Sequence, residues 1–203
     1  MTAIDAKNNE WGTSYVSPTT EEILKVVGRP VVELFAMLFP EMPEEHRDAI
    51  AGRVLEELAV SIRAKKGSIY DDVPEILNTL KAQGYVLFLV SNCRRLYLEA
   101  IQETYGFSQW FDKTCCNEDD PVLGKSGLLR EFVNGRKGVM IGDRSSDGDA
   151  ARAADVDWVG CDYGHADSEA GAEISRNELK GADVVVQSVC EIPTAVSKLL
   201  NAN

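Results

Sequence analysis

From Ile69 onward, short apolar stretches and helix-forming stretches take turns, and this alternation constrains the fold more than any other feature. YVLFLV at residues 85–90 is apolar throughout, and further apolar runs lie at 138–141, 156–161 and 183–186. Between them, Val73, Ile76, Leu77 and Leu80 share a helical face before Gly84 stops the helix. Leu96, Ala100 and Ile101 mark a second helix ending at Gly106, and residues 126–133 and 147–154 read as two more. Strands that are apolar on both sides must be covered on both faces. The pattern therefore predicts an α/β fold, a Rossmann-like parallel sheet with helices on both faces. Ligands of such sheets sit at the carboxyl ends of the strands, so chemistry is expected where each strand stops.

The stretch before this alternation carries no strand pattern. Residues 18 to 66 read as helical. Ile23, Val26 and Val27 sit on one face, and Gly28-Arg29-Pro30 interrupts the helix. A second helix follows from about Val31 to Leu38, and Pro43 opens a third with Ile50, Val54, Leu58 and Ile62 in a stripe. The first 14 residues look irregular, with at most a short strand over 2–4. The domain division that follows is an α/β core of residues 1-16 and 67-203 and a small helical cap of residues 17-66.

Charge and cysteines narrow the function. The chain has 203 residues and a net charge of −12, which repels phosphate backbones and anionic lipid; no nucleic acid and no membrane partner is expected. No apolar run is long enough to span a bilayer. The opening MTAIDAKNNE lacks a basic start followed by an apolar stretch, so no secretory signal is expected. Cys93, Cys115, Cys116, Cys161 and Cys190 are odd in number and form no CxxC, which fits a reducing, cytoplasmic setting. His46 and His165 are the only histidines and read as structural rather than as metal ligands.

Three strand-end features could carry chemistry. The run 85–90 stops at Ser91-Asn92 just before a helix, where a hydroxyl and free helix N–H groups can cradle an anion; Ser91 could equally be a plain helix cap. The run 138–141 stops at Gly142-Asp143, with Asp147 four residues on. Two carboxylates at that spacing can face one hard cation such as Mg²⁺, or one of them can simply cap its helix. Lys125, in Gly124-Lys125-Ser126, precedes the helix that feeds this strand. It is no P-loop, because Asp119 stands where the first glycine is required.

Taken together, Ser at one strand end, then Lys, then GDxxxD, in this order and spacing, resemble motifs two, three and four of the haloacid-dehalogenase-like (HAD) superfamily. SIYDDVPEILNTLKAQGYVLFLVSNC and GDRSSDGDAARAADV look like the corresponding stretches of its phosphoglycolate-phosphatase-like group, and the helical block resembles that group's cap. By that resemblance Ser91 and Asn92 would hold phosphoryl oxygens. Lys125 would balance the charge of nucleophile and phosphate, and Asp143 and Asp147 would bind Mg²⁺.

The first motif departs from the family. Members begin with a strand ending in DxDGT, whose first Asp attacks phosphorus and whose second serves as acid and base. Only Asp5 precedes Asp48 here, so no register supplies both carboxylates. One register makes Asp5 the nucleophile, matches Trp11 and Thr13, and puts Lys7 at the acid/base position with Asn8-Asn9 for Gly-Thr. A rival register reads Gly12-Thr13 as the motif's own Gly-Thr and removes the nucleophile altogether. In the first register Lys7 and Asp5, two apart on a strand, would pair, and a paired lysine is a poor base. The expected function is a pseudophosphatase: the fold kept, binding of a small phosphorylated metabolite or inorganic anion kept, Mg²⁺ binding weakened, and phosphate-ester hydrolysis lost or very slow. The alternatives are an active Mg²⁺-dependent phosphatase with an unusual first motif and, less favoured, dehalogenase-type chemistry, which dispenses with the second acid. No protein partner can be named from the sequence.

Overall fold

The computed structural model describes residues 3–163 and 177–201. His165 and Thr2 lie outside the described residues. The chain divides into two compact units, a helical one of residues 1–67 and 92–106 and an α/β one of residues 68–91 and 107–203.

The helical unit holds α1 (Ala3–Trp11), α2 (Thr20–Val26), α3 (Val31–Leu38), α4 (Glu44–Arg63) and α6 (Arg95–Tyr105). Thr19 caps α2: its hydroxyl accepts from Glu22 N, while the Glu22 carboxylate accepts from Thr19 N at 2.8 Å. Pro43 sits just before α4, as the sequence predicts. Ile4, Phe39, Met42 and Ile50 form this unit's buried core, with Trp11, Tyr15 and Val54 packed around them. The apolar stripe of α4 is only partly inward, since Leu58 is 45% exposed. Helix α6 packs on α4, where Arg63 pairs with Glu103 at 2.9 Å and the Tyr105 hydroxyl donates to Gly67 O at 2.7 Å.

The α/β unit holds α5 (Val73–Ala82), β1 (Phe88–Ser91), β2 (Lys113–Cys116), α7 (Gly124–Val133), β3 (Val139–Gly142), α8 (Ser145–Ala154), β4 (Asp157–Cys161), β5 (Val184–Val186) and α9 (Ile192–Asn201). All three ladders are parallel: β1 pairs with β2, β3 with β4, and β4 with β5. The α/β class and its parallel strands are those expected from the alternating pattern. Helices α5 and α9 cover one side through Leu80, Ile192 and Val196. Helices α7 and α8 belong to the other core clusters through Leu128, Leu129, Phe132 and Ala151.

Two expectations are corrected. The strands ending at Ser91 and beside Asp143 do not share one hydrogen-bonded sheet. Among the described residues the strands form a β1-β2 pair and a separate β3-β4-β5 sheet. Nor is the start of the chain irregular or a strand. Residues 3–11 form α1, because Ile4 and Trp11, seven apart, fall on one helical face and pack with the α4 core. The Asn8 side chain then closes the following turn, accepting from Tyr15 N at 2.8 Å and from the Thr13 hydroxyl at 2.9 Å and donating to Tyr15 O. In the sequence-based division residues 1-16 went with the α/β core. In the structure α1 packs within the helical unit, and α6 joins it there.

Candidate functional site

Strand β3 runs apolar to Gly142, and the chain turns at once into α8 through Asp143 and Arg144. Asp147, at the third position of α8, folds back so that its Oδ2 accepts from Arg144 N at 3.0 Å. That bond satisfies one of the N–H groups a helix start leaves without an internal partner. The fold-back needs a glycine at 142, because a Cβ there would collide with the Asp147 carboxylate. The indole of Trp158 in β4 donates to Gly142 O at 3.3 Å and fixes the strand end.

Lys125 enters from the first turn of α7 and pairs with Asp147 Oδ1. The side chains are 13% and 5% exposed, so this ion pair is nearly dry. Breaking such a pair from one side typically costs about 3–5 kcal/mol, because it leaves a buried charge unmatched. Arg144 is itself buried, and its Nε lies 3.6 Å from Asp143 Oδ2, while Asp143 stays more open. The Ser145 N–H donates to Glu178 Oε2 at 2.6 Å, so the start of α8 is already met by carboxylates.

Cys161 closes β4, and burial pushes its thiol up to about 11. A hydrogen bond with Tyr163 pulls the other way, and the nearby charges of Asp143 and Asp147 push it further up. Burial likewise raises the Tyr163 hydroxyl well above its usual range. A thiol held neutral in this way is no nucleophile near neutral pH.

The arrangement does not suit Mg²⁺. That ion wants near-octahedral oxygens and gives up its waters reluctantly. Both Asp147 oxygens are engaged, one by an ammonium and one by a backbone N–H, and Asp143 has a guanidinium beside it. Among the described residues no group of three or more His, Cys, Asp or Glu side chains stands together as a metal site.

The other expected site residues are spread over both units. Ser91 ends β1, opposite Cys116 of β2, in the α/β unit with Lys125, Asp143 and Asp147. Asn92 falls on the helical side of the division, and its side-chain amide donates to Gly28 O at 3.0 Å, bracing the turn between α2 and α3. Asp5 lies exposed on α1, and Lys7 of the same helix pairs with Glu10 at 2.8 Å. The strand geometry that would have put Lys7 and Asp5 on one face therefore does not arise. Sequence reasoning passed over Arg144, Glu178 and Cys161. Arg144 stands inside GDRSSD in plain view, but nothing in that string says its charge is buried.

Comparison with known proteins puts these features in context. Residues 5–161 match the family described as haloacid dehalogenase-like hydrolase. The phosphoglycolate phosphatase of Colwellia psychrerythraea is 32% identical over 48% of this chain and 46% of its own length. The Escherichia coli phosphoglycolate phosphatase is 23% identical over 85% of this chain and 66% of its own. The matched stretch thus spans about half of the first relative and under two thirds of others. The crystal structure of a predicted phosphatase from Clostridium acetobutylicum superposes with a TM-score of 0.75 at 22% identity, covering 97% of this chain and 89% of that one. At that identity the likeness speaks for the fold alone.

Proposed function

The chain belongs to the haloacid dehalogenase-like hydrolases, and from that premise we propose that it is a pseudophosphatase: a member that keeps the fold and the anion-binding groups Ser91 and Lys125 but has lost, or nearly lost, ester hydrolysis. The observation that carries this reading is α1. Asp5, the carboxylate that the family register offers as nucleophile, lies exposed on a helix rather than at the end of a strand. Acid and base assistance is typically worth 10² to 10⁴-fold, and Lys7, already paired with Glu10, supplies none.

The ligand class proposed is a small phosphorylated metabolite or inorganic phosphate, in line with the phosphoglycolate phosphatases among the relatives. Ser91 and Lys125 are the groups proposed to meet it. Phosphatases of the family generally use Mg²⁺, but here Asp147 and Asp143 already have Lys125 and Arg144 as counter-charges, so neither calls for a further cation. An incoming phosphate has to share Lys125 with Asp147, which keeps its affinity modest.

Calorimetric titration of the full chain with inorganic phosphate and, separately, with MgCl₂ tests this reading. Saturable phosphate binding that is unchanged by Mg²⁺ and lost in Ser91→Ala combined with Lys125→Ala is expected. Tight Mg²⁺ binding with no phosphate heat in its absence would sink it.

A further inference from the structure

Strands β1 and β3 each have a single partner strand among the described residues, and one groove runs along both of them. Phe88, Leu89 and Val90 of β1 and Val139, Met140 and Ile141 of β3 all line this cavity of about 510 Å³, which lies wholly within the α/β unit. Its two remaining walls come from separate core clusters: Leu80, Ile192 and Val196 of α5 and α9, and Leu129 and Phe132 of α7.

Burial along the strands bears the mark of a missing neighbour. Strand β4 is flanked by a strand on each side, and Trp158 to Cys161 are all buried. In β1 and β3, by contrast, Phe88, Leu89, Val139 and Ile141 are only half-buried. A strand edge without a partner presents rows of unpaired N–H and C=O groups, a template for another strand. Side chains alone could cover the apolar walls, but only an extended backbone can satisfy two facing edges.

We propose that this groove takes one extended strand of a partner polypeptide, which pairs with β1 on one side and β3 on the other. Its chemistry follows from the walls. Both faces of the inserted strand meet aliphatic and aromatic side chains, so its residues are apolar on both faces and favour β structure. Four residues of each host strand set a span of roughly 13 Å, at about 3.3 Å per residue. The direction is parallel, as in all three ladders already present. Arg136 and Lys137 line the groove where β3 begins, a basic pair in a chain of net charge −12. The partner strand therefore carries acidic residues just before its apolar run.

This inference is independent of the proposed phosphate site, because its readout is backbone protection rather than anion binding. Hydrogen exchange of the full chain is followed with a synthetic peptide of two glutamates, five alternating isoleucines and valines, and a Ser-Gly tail. Slowing by tenfold or more at the amides of residues 86–91 and 138–142 is expected. A proline in the middle of the peptide should abolish it, and two lysines in place of the glutamates should weaken binding at least fivefold. Lys137→Glu should remove that preference; Arg136 is kept, because its guanidinium donates to Phe132 O and Val133 O at the end of α7. Equal protection by the proline peptide would reduce the groove to a non-specific apolar patch and overturn the proposal. So would an absence of protection, or amides already slow without peptide in a dimer, which would make a second copy of the chain the occupant.

Discussion

At Asp147 two demands meet, since the same carboxylate caps α8 through Arg144 N and neutralises Lys125. The Asp147→Asn variant separates them. The amide oxygen can still accept from the backbone, but the charge on Lys125 is set free. One unit charge a few ångströms away is worth about 4 kcal/mol at an effective dielectric near 20, so even a fraction of that effect shows. Phosphate affinity in Asp147→Asn is expected to rise roughly tenfold; a metal-dependent phosphate site would lose affinity instead, and calorimetry distinguishes the two. Cys161 gives a second test at this scale. Its thiol is pushed from 9.0 up to about 11 by burial, so between those values the unfolded chain gives up this proton while the folded chain keeps it. Fewer protons on the unfolded state means that stability falls as pH rises. The contribution is whole below pH 9 and is lost as pH climbs through about 11. Urea midpoints at pH 8, 9.5 and 10.5 should therefore decline more steeply in the wild type than in Cys161→Ala. Parallel slopes would remove Cys161 as the cause, leaving Tyr163, which shifts in the same direction.

Among the elements, α1 decides most. Restoring the family's first motif by Lys7→Asp, Asn8→Gly and Asn9→Thr is expected to give no phosphatase activity, because it writes a strand-end motif into a helix. It should also destabilise the protein by about 1–3 kcal/mol, as glycine weakens a helix and the three hydrogen bonds made by Asn8 are lost. Thermal melting checks the second outcome and a phosphate-release assay the first; activity appearing in this variant would mean that residues 3–11 do reach a catalytic position. The elements differ in how legible they were. Strands β1, β3, β4 and β5 could be read because their residues are apolar on both faces, and α6 could be bounded because Gly106 adopts φ 67° at its end. Strand β2 was missed: in Lys113-Thr114-Cys115-Cys116 only the last two residues are buried, too few to stand out. Helix α1 was missed because its fold depends on an α4 surface far along the chain. At the candidate site, order and spacing single out Lys125, Asp143 and Asp147, and the structure joins Lys125 to Asp147. The buried counter-charge of Arg144 and the reach of Glu178 across 33 residues exist only after folding.

For the molecule as a whole, the family fold is kept, and the proposed loss of hydrolysis rests on Asp5 lying on a helix. The α/β unit holds Ser91, Lys125, Asp143 and Asp147, while Asp5 belongs to the helical unit. Among the described residues no helix is long and apolar enough to cross a membrane; a small anion and an apolar protein strand are the partners proposed for test. The most direct measurement is steady-state hydrolysis of p-nitrophenyl phosphate by the purified full chain with Mg²⁺, run beside Asp143→Ala. The account predicts indistinguishable rates close to the uncatalysed background. Turnover well above that background in the wild type, abolished in Asp143→Ala, would contradict it.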